Sequence, residues 1–279
     1  MSENLSYLLK IKSSFKMENH KNRIAYSKEN NDWSLLLYLK RQRRYLNKKA
    51  LFLCTLLFAG FMYGQNATIG QFAIWKPKNG ESENFEKGYK QHLNWHKVNK
   101  DQWGWYGWFF ISGPRYGQFV DATFDHIWAD FDTAVKPADD MADNKLNVFP
   151  FGDVQTIFKV ENVPKASSID TFALKTKLIK LVTLTVDNVE QSIRVSEKLK
   201  DYYVSRKIKF YKTYKVVDGG SVNQIILMLG FDSWNDYSLS ENLHEKITEY
   251  QQMLKIKTIS AVESETMIYR PDMSWFPNS

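Results

Sequence analysis

The stretch Ile208-Lys-Phe-Tyr-Lys-Thr-Tyr-Lys-Val-Val217, Asp218-Gly219-Gly220, Val222-Asn-Gln-Ile-Ile-Leu-Met-Leu229 decides how this chain is read. Two runs rich in β-branched and aromatic residues flank an Asp-Gly pair, a strong signal for an antiparallel hairpin. Just beyond lies Trp234-Asn-Asp236-Tyr237. An offset of 106 residues finds the same landmarks earlier in the chain. Gly113 matches Gly219, Gln118 matches Gln224, and Trp128-Ala-Asp130-Phe131 matches the second Trp-x-Asp-aromatic unit. Self-similarity at a fixed offset marks a duplicated unit.

The segments around each hairpin follow one order. In the second copy, residues 177–186 are β-branched and apolar, and 189–206 read as a helix. Residues 243–255 form an amphipathic helix with Leu243, Ile247 and Leu254 on one side, and 262–269 close the copy as a strand. In the first copy, residues 69–75 are a strand, Pro77-Lys-Asn-Gly80 a turn, and 82–99 a helix with Ser82 as its N-cap. Residues 103–111 and 118–124 form the hairpin around Ser112-Gly-Pro-Arg-Tyr-Gly117. A second helical region starts near Asp125, with an acidic interruption at Pro137-Ala-Asp-Asp140, before a strand over 154–160. Each copy is therefore β-α-β-β-α-β, the ferredoxin-like unit. Such a sheet carries helices on one face only, so its bare face must be covered. The expected fold is α+β: two fused ferredoxin-like repeats, 65–163 and 177–273, packed sheet-to-sheet as a pseudo-dimeric α/β barrel, with 164–176 as the linker.

The formal net charge of +7 belongs to the N-terminal segment. Residues 1–64 hold 12 basic and 4 acidic side chains, and the remainder holds 26 and 27. Lys40, Arg41, Arg43, Arg44, Lys48 and Lys49 precede the apolar run 50–62, and small or polar residues follow. Positive, apolar, then small is the layout of a secretory signal, and the run is shorter than the roughly 20 residues of a membrane span. Residues 47–64 are expected to be a signal peptide cleaved after Gly64, and 1–46 an extension absent from the natural product. The expected protein is exported, periplasmic or extracellular, with no stable membrane span after cleavage. A near-neutral remainder without a basic run argues against nucleic acid. Cys54 is the sole cysteine, so the chain after Gly64 has no disulfide, cysteine metal site or cysteine nucleophile.

The tandem layout resembles the dimeric α/β-barrel superfamily, in particular fused two-repeat members similar to NIPSNAP, EthD and antibiotic-biosynthesis monooxygenase domains. The resemblance rests on both Gly-x4-Gln hairpins, both Trp-x-Asp-aromatic units and the closing segment Thr266-Met-Ile-Tyr-Arg-Pro271. The second copy departs from it, since Leu181-Val-Thr-Leu-Thr-Val-Asp187 lacks the Glu/Arg/Tyr pattern of NIPSNAP-type domains. The resemblance implies a cleft between sheet and helices that relatives use for small apolar ligands, haem or cofactor-free oxidation. It also implies a monomer with an internal pseudo-dimer, or a homodimer.

No Gly-rich phosphate loop, Gly-x-Ser-x-Gly elbow or His-Glu-x-x-His pair is present. The strongest chemical signal is His92-Leu-Asn-Trp-His96. Residues four apart on a helix share a face, so both imidazoles can serve one site as catalytic groups or as metal ligands. A third ligand from a strand would complete a metal site. Asp121 is the expected third ligand, with Asp125 and His126 as further candidates. At the 106 offset the second copy has Lys198 and Tyr202 in place of the pair, so the feature is confined to the first copy. Six tryptophans of the first copy face one in the second before the tail. On a strand, Trp103 and Trp105 share one face and Tyr106 and Trp108 the other, one pair for the inter-repeat core and one for the cleft. Tyr89, Trp105, Tyr106, Trp108, Arg115 and His126 are the expected ligand-binding residues. Trp128, Trp234, Asp130 and Asp236 recur in both copies and read as anchors for the start of each second helix. The leading functional expectation is an exported protein that binds a small apolar or aromatic ligand in the sheet–helix cleft of the first repeat. A monooxygenase-like or haem- or metal-dependent oxidoreductase, or a non-catalytic interaction module, stands beside it. The sequence requires no cofactor, and it admits haem or a divalent metal.

Overall fold

Eight antiparallel strands close into one barrel. The computed structural model describes residues 68–168 and 174–277. The extension 1–46, the signal segment 47–64 and its cleavage point lie outside the described residues. No helix among those described is long and apolar enough to cross a membrane.

The first repeat supplies β1 (Ile69–Pro77), α1 (Ser82–Val98), β2 (Tyr106–Phe110), β3 (Phe119–His126), α2 (Pro137–Asn147) and β4 (Gly152–Asn162). The second supplies β5 (Leu178–Val186), α3 (Val189–Ser205), β6 (Phe210–Asp218), β7 (Gln224–Phe231), α4 (Leu243–Leu254) and β8 (Ile259–Tyr269). Around the barrel the strands run β1-β3-β2-β8-β5-β7-β6-β4, and within each repeat the order is that of the ferredoxin-like sheet. The edges then join, β2 to β8 and β4 to β6, so each repeat caps the edge strands of the other. Closure satisfies every edge that an open sheet would expose. The pleat sends alternate residues inward. Phe72, Ile74, Trp108, Phe110, Val120, Ile179, Leu181, Phe210, Ile226 and Met267 fill the lumen from both repeats. Outside, α3 and α4 cover the second repeat through Leu199, Tyr203, Leu243 and Ile247. Phe85, Tyr89 and Leu93 of α1 pack on Ala73, Trp75 and Phe119 of the first sheet.

Four local expectations need correction. Ser82 is the first residue of α1, whose N-cap is Glu81 with no side-chain capping bond. Pro137 is no interruption: it opens α2 at the first position, where a missing N–H costs nothing. Trp128–Thr133 and Trp234–Tyr237 are separate short turns ahead of the second helices. The aspartates hold these turns, with Asp130 accepting from the Ile127 amide and Asp236 from the Ser233 hydroxyl. Trp128 and Trp234 are exposed. Finally, α1 and α3 are both 17 residues long and start 107 positions apart. The true counterparts of His92 and His96 are therefore Leu199 and Tyr203, both in the apolar core.

Candidate metal centre

The seam between α1 and α2 is polar where the matching seam of the second repeat is apolar. Buried positions of α3 and α4 are Leu199, Tyr203, Ile247 and Tyr250. With α1 and α3 aligned at their starts, and α2 and α4 at their ends (Asn147 and Leu254), the first repeat has His92, His96, Asp140 and Asp143 at these positions. Gly88 lets the helices approach: a Cβ there would lie 1.8 Å from the Asn147 carbonyl oxygen.

His92 and His96 are both buried, and their Nε2 atoms stand 3.1 Å apart. Each ring is held from behind by a carboxylate. His92 Nδ1 donates to Asp143 at 2.8 Å, and His96 Nδ1 donates to Asp101 at 2.8 Å. A carboxylate can only accept, so each Nδ1 carries the donated proton, and in the neutral form of either ring Nε2 presents a lone pair. Asp140 Oδ1 lies 3.4 Å from His92 Nε2 and 3.6 Å from His96 Nε2. That oxygen is buried and has no hydrogen-bond partner. Asn144 Nδ2 donates to His92 Nε2 at 3.1 Å, while its own Oδ1 is buried and unpaired. Acceptors thus outnumber donors at one point, which calls for a cation.

The spacing suits a metal ion. A metal about 2.1 Å from each donor separates neighbouring donors by roughly 3.0–3.4 Å. Two imidazoles and one carboxylate are a donor set that would hold a divalent first-row metal. The side chain of Asp140 is 33% exposed, so the set meets solvent there. Asp143 and Asp101 are the outer carboxylates that fix ring orientation in histidine metal sites. Asp101 also accepts from Trp105 Nε1 and the Trp103 amide. The pair offers haem no open axial position, because each Nε2 is blocked by the other and by Asp140.

Ionisation follows the same geometry. Burial, and then the neighbouring His96, lower His92 to about 4, so its ring stays neutral. Burial raises Asp140. Burial would raise Asp101 too, but hydrogen bonds from His96, Trp105 and the Trp103 backbone together hold it below its usual value.

The sequence-derived residues divide among three places. Trp105 packs against His96 with ring centres 5.0 Å apart, and half-buried Trp95 stacks on His92. Tyr89 and Asp121 lie beneath the pair: Asp121 Oδ2 accepts from Tyr89 and from Trp75 Nε1, each at 3.1 Å. The carboxylate facing both Nε2 atoms is that of Asp140, and Asp121 is not part of that set. Asp125 is exposed. His126 bonds Thr123 Oγ1 at 2.6 Å and packs on Trp103 rather than joining the pair. Tyr106 and Trp108 stack in the lumen cluster. Arg115 pairs with Glu265 at the barrel mouth. The sheet–helix space expected to be a cleft is packed by Trp75, Phe85, Tyr89 and Phe119. Sequence reasoning missed Asp101, Asp140, Asp143 and Asn144. The signal for two of them was present, because Asp140 and Asp143 are three apart in a helix opened by a proline.

A closed eight-stranded barrel made from two ferredoxin-like repeats is the dimeric α/β-barrel fold, folded here within a single chain. Solved structures with this fold include a candidate monooxygenase from Lactobacillus acidophilus NCFM, at 8% identity and a TM-score of 0.53, covering 76% of this chain and 97% of that one. An anthrone oxidase-like protein matches at 8% identity and 0.50, over 77% of this chain and 95% of that one. The chlorite dismutase of Candidatus Nitrospira defluvii matches at 10% identity and 0.46, over 75% and 93%. No family model and no curated protein matches the sequence.

Proposed function

We propose that this protein is a metal-dependent oxidoreductase in which His92, His96 and Asp140 hold one divalent first-row transition metal beside a site for a small apolar substrate. The observation that carries the reading is the convergence on one point of both Nε2 atoms and the buried, unpartnered Asp140 Oδ1, with each imidazole held from behind by a carboxylate. Such a metal would supply Lewis acidity and, with iron, access to dioxygen chemistry. The chain supplies the rest. Asp143 and Asp101 orient the rings, and Trp95 and Trp105 pack the two imidazoles in an aromatic surround. The monooxygenase and oxidase names of two fold neighbours support an oxidation by analogy of fold. The cationic and apolar order of residues 40–64 supports export as part of the same proposal.

Cobalt(II) titration of the chelator-treated chain tests the site, read by visible absorption and calorimetry. One cobalt per chain is expected, weakened at least a hundredfold by His92→Ala or His96→Ala and unaffected by His126→Ala. Unchanged cobalt bands in both pair variants would overturn the assignment. Dioxygen uptake by the iron(II)-loaded protein with a panel of phenols and hydroquinones tests the reaction. Stoichiometric metal without uptake would remove the oxidation and leave the site.

A further inference from the structure

The lumen of the barrel contains a cavity separate from the seam between α1 and α2. It has a volume of about 190 Å³ and lies at the end where the β2–β3 and β6–β7 hairpins meet. Its body is apolar and comes from both repeats, with Phe72, Ile74, Leu181, Val216, Ile226 and Met267 among the lining side chains. Its polar groups are Arg115, Thr156, Thr183 and Gln224. An apolar cavity of about 150 Å³ is enough to hold benzene. Such a void lowers stability in proportion to its volume, and larger side chains at Thr156 or Val216 would fill this one.

We propose that this lumen is a second binding site, for a small neutral molecule of about one ring that carries a hydroxyl or carbonyl group. Charge selects the neutral class. Arg115 Nε donates to Glu265 Oε2 at 2.7 Å, its Nη2 donates to the same oxygen, and the Arg115 amide donates to Oε1 at 3.0 Å. Among the described residues, the only charged side chain lining the cavity is thus already neutralised by a carboxylate that is itself buried. An anion would have to compete with Glu265, and a cation would meet the guanidinium. Size and chemistry agree on the rest of the ligand. A ring fits among the aliphatic and aromatic side chains. One polar group can meet the guanidinium N–H groups that Glu265 does not use, or the hydroxyl and amide groups of Thr156, Thr183 and Gln224. This proposal does not rest on the metal reading, because the cavity shares none of His92, His96 and Asp140.

The test is phenol titration of the full chain carrying 13C-methyl methionine. Met267 lines the cavity, whereas Met141 and Met253 are exposed on helices. The Met267 methyl signal, identified by its loss in Met267→Leu, is expected to move saturably with one phenol per chain while Met141 and Met253 stay still. Ile226→Trp is expected to weaken binding at least tenfold, and benzoate to bind at least tenfold more weakly than phenol. An unmoved Met267 signal at millimolar phenol overturns the site whether or not the tryptophan variant folds. Benzoate binding as tightly as phenol overturns the neutral class. Phenol that shifts cobalt bands at the histidine pair but not Met267 overturns the lumen site and leaves the metal reading intact.

Discussion

His92 and His96 point their Nε2 atoms at each other across 3.1 Å, and behind each ring a carboxylate takes the Nδ1 proton. In their neutral forms the rings would set two lone pairs that close, which repel unless something electrophilic, a proton or a metal ion, lies between or beside them. The surrounding fold enforces the approach. α1 sets the one-turn spacing, α2 brings Asp140 and Asp143, and the loop after α1 brings Asp101.

The outer carboxylates should therefore matter without touching the metal. Asp101→Asn and Asp143→Asn keep an acceptor at each Nδ1 but remove its charge. Each is expected to weaken cobalt affinity by about 10–100-fold, the usual cost of losing such a partner. The far-ultraviolet circular dichroism should stay unchanged. Calorimetric titration checks this, and equal affinity in both variants would mean the carboxylates only pack.

The second repeat supplies a blueprint for removing the site. His92→Leu, Asp140→Ile and Asp143→Tyr together copy Leu199, Ile247 and Tyr250 into the first seam. Replacing a buried charged cluster with apolar residues of fitting shape is commonly neutral or stabilising by about 1–4 kcal/mol. The metal-free triple variant should melt several degrees higher than the metal-free parent and bind no cobalt. Thermal denaturation in chelator, with and without subsequent metal, measures both.

Much of this was readable in the chain before its structure. The duplicated hairpins and alternating apolar residues define each repeat, because local turn chemistry and strand periodicity survive in the letters. The pair His92–His96 was readable for the same reason, four residues being one helical turn. Asp101, Asp140 and Asp143 were not, since their meeting depends on how α1, α2 and a loop pack. Asp121 is the third ligand the sequence suggests because a strand residue is wanted to complete the pair. Its carboxylate is instead taken up by Tyr89 and Trp75.

Asp121 carries its own pH signature. Burial raises it to about 7, against the lowering effect of hydrogen bonds from Trp75 and Tyr89. The folded chain thus keeps a proton that the unfolded chain releases above about 4. This stabilisation is full below pH ~4 and is lost as pH rises through about 7. Asp121→Asn is neutral at every pH and can still accept from both donors. Relative to the parent it should gain stability from pH 4 to 8, by up to about 4 kcal/mol. Urea denaturation at the two pH values provides the measurement, and a variant equally displaced at both would contradict it.

Gly88 tests whether the seam itself sets the site. Its Cβ position falls 1.8 Å from the Asn147 carbonyl oxygen and 2.9 Å from the carbonyl carbon, both backbone atoms that no rotamer can move aside. Gly88→Ala would normally favour a helix by about 1 kcal/mol. Here the methyl must push α2 away from α1, an overpacking cost of about 1–3 kcal/mol that outweighs the propensity gain. The displacement lengthens the reach from Asp140 and Asp143 to the histidines while leaving His96 and Asp101 together, because those two sit on α1 and the loop that follows it. Cobalt affinity should fall at least tenfold in Gly88→Ala, with a smaller loss in stability than a core truncation would give. The equivalent change on the second repeat, Val195→Ala on α3, should lower stability through lost packing but leave cobalt binding at the parent value. A pair of titrations with matched denaturation curves separates the two, and identical affinity in Gly88→Ala would show that the site does not depend on how closely the helices approach.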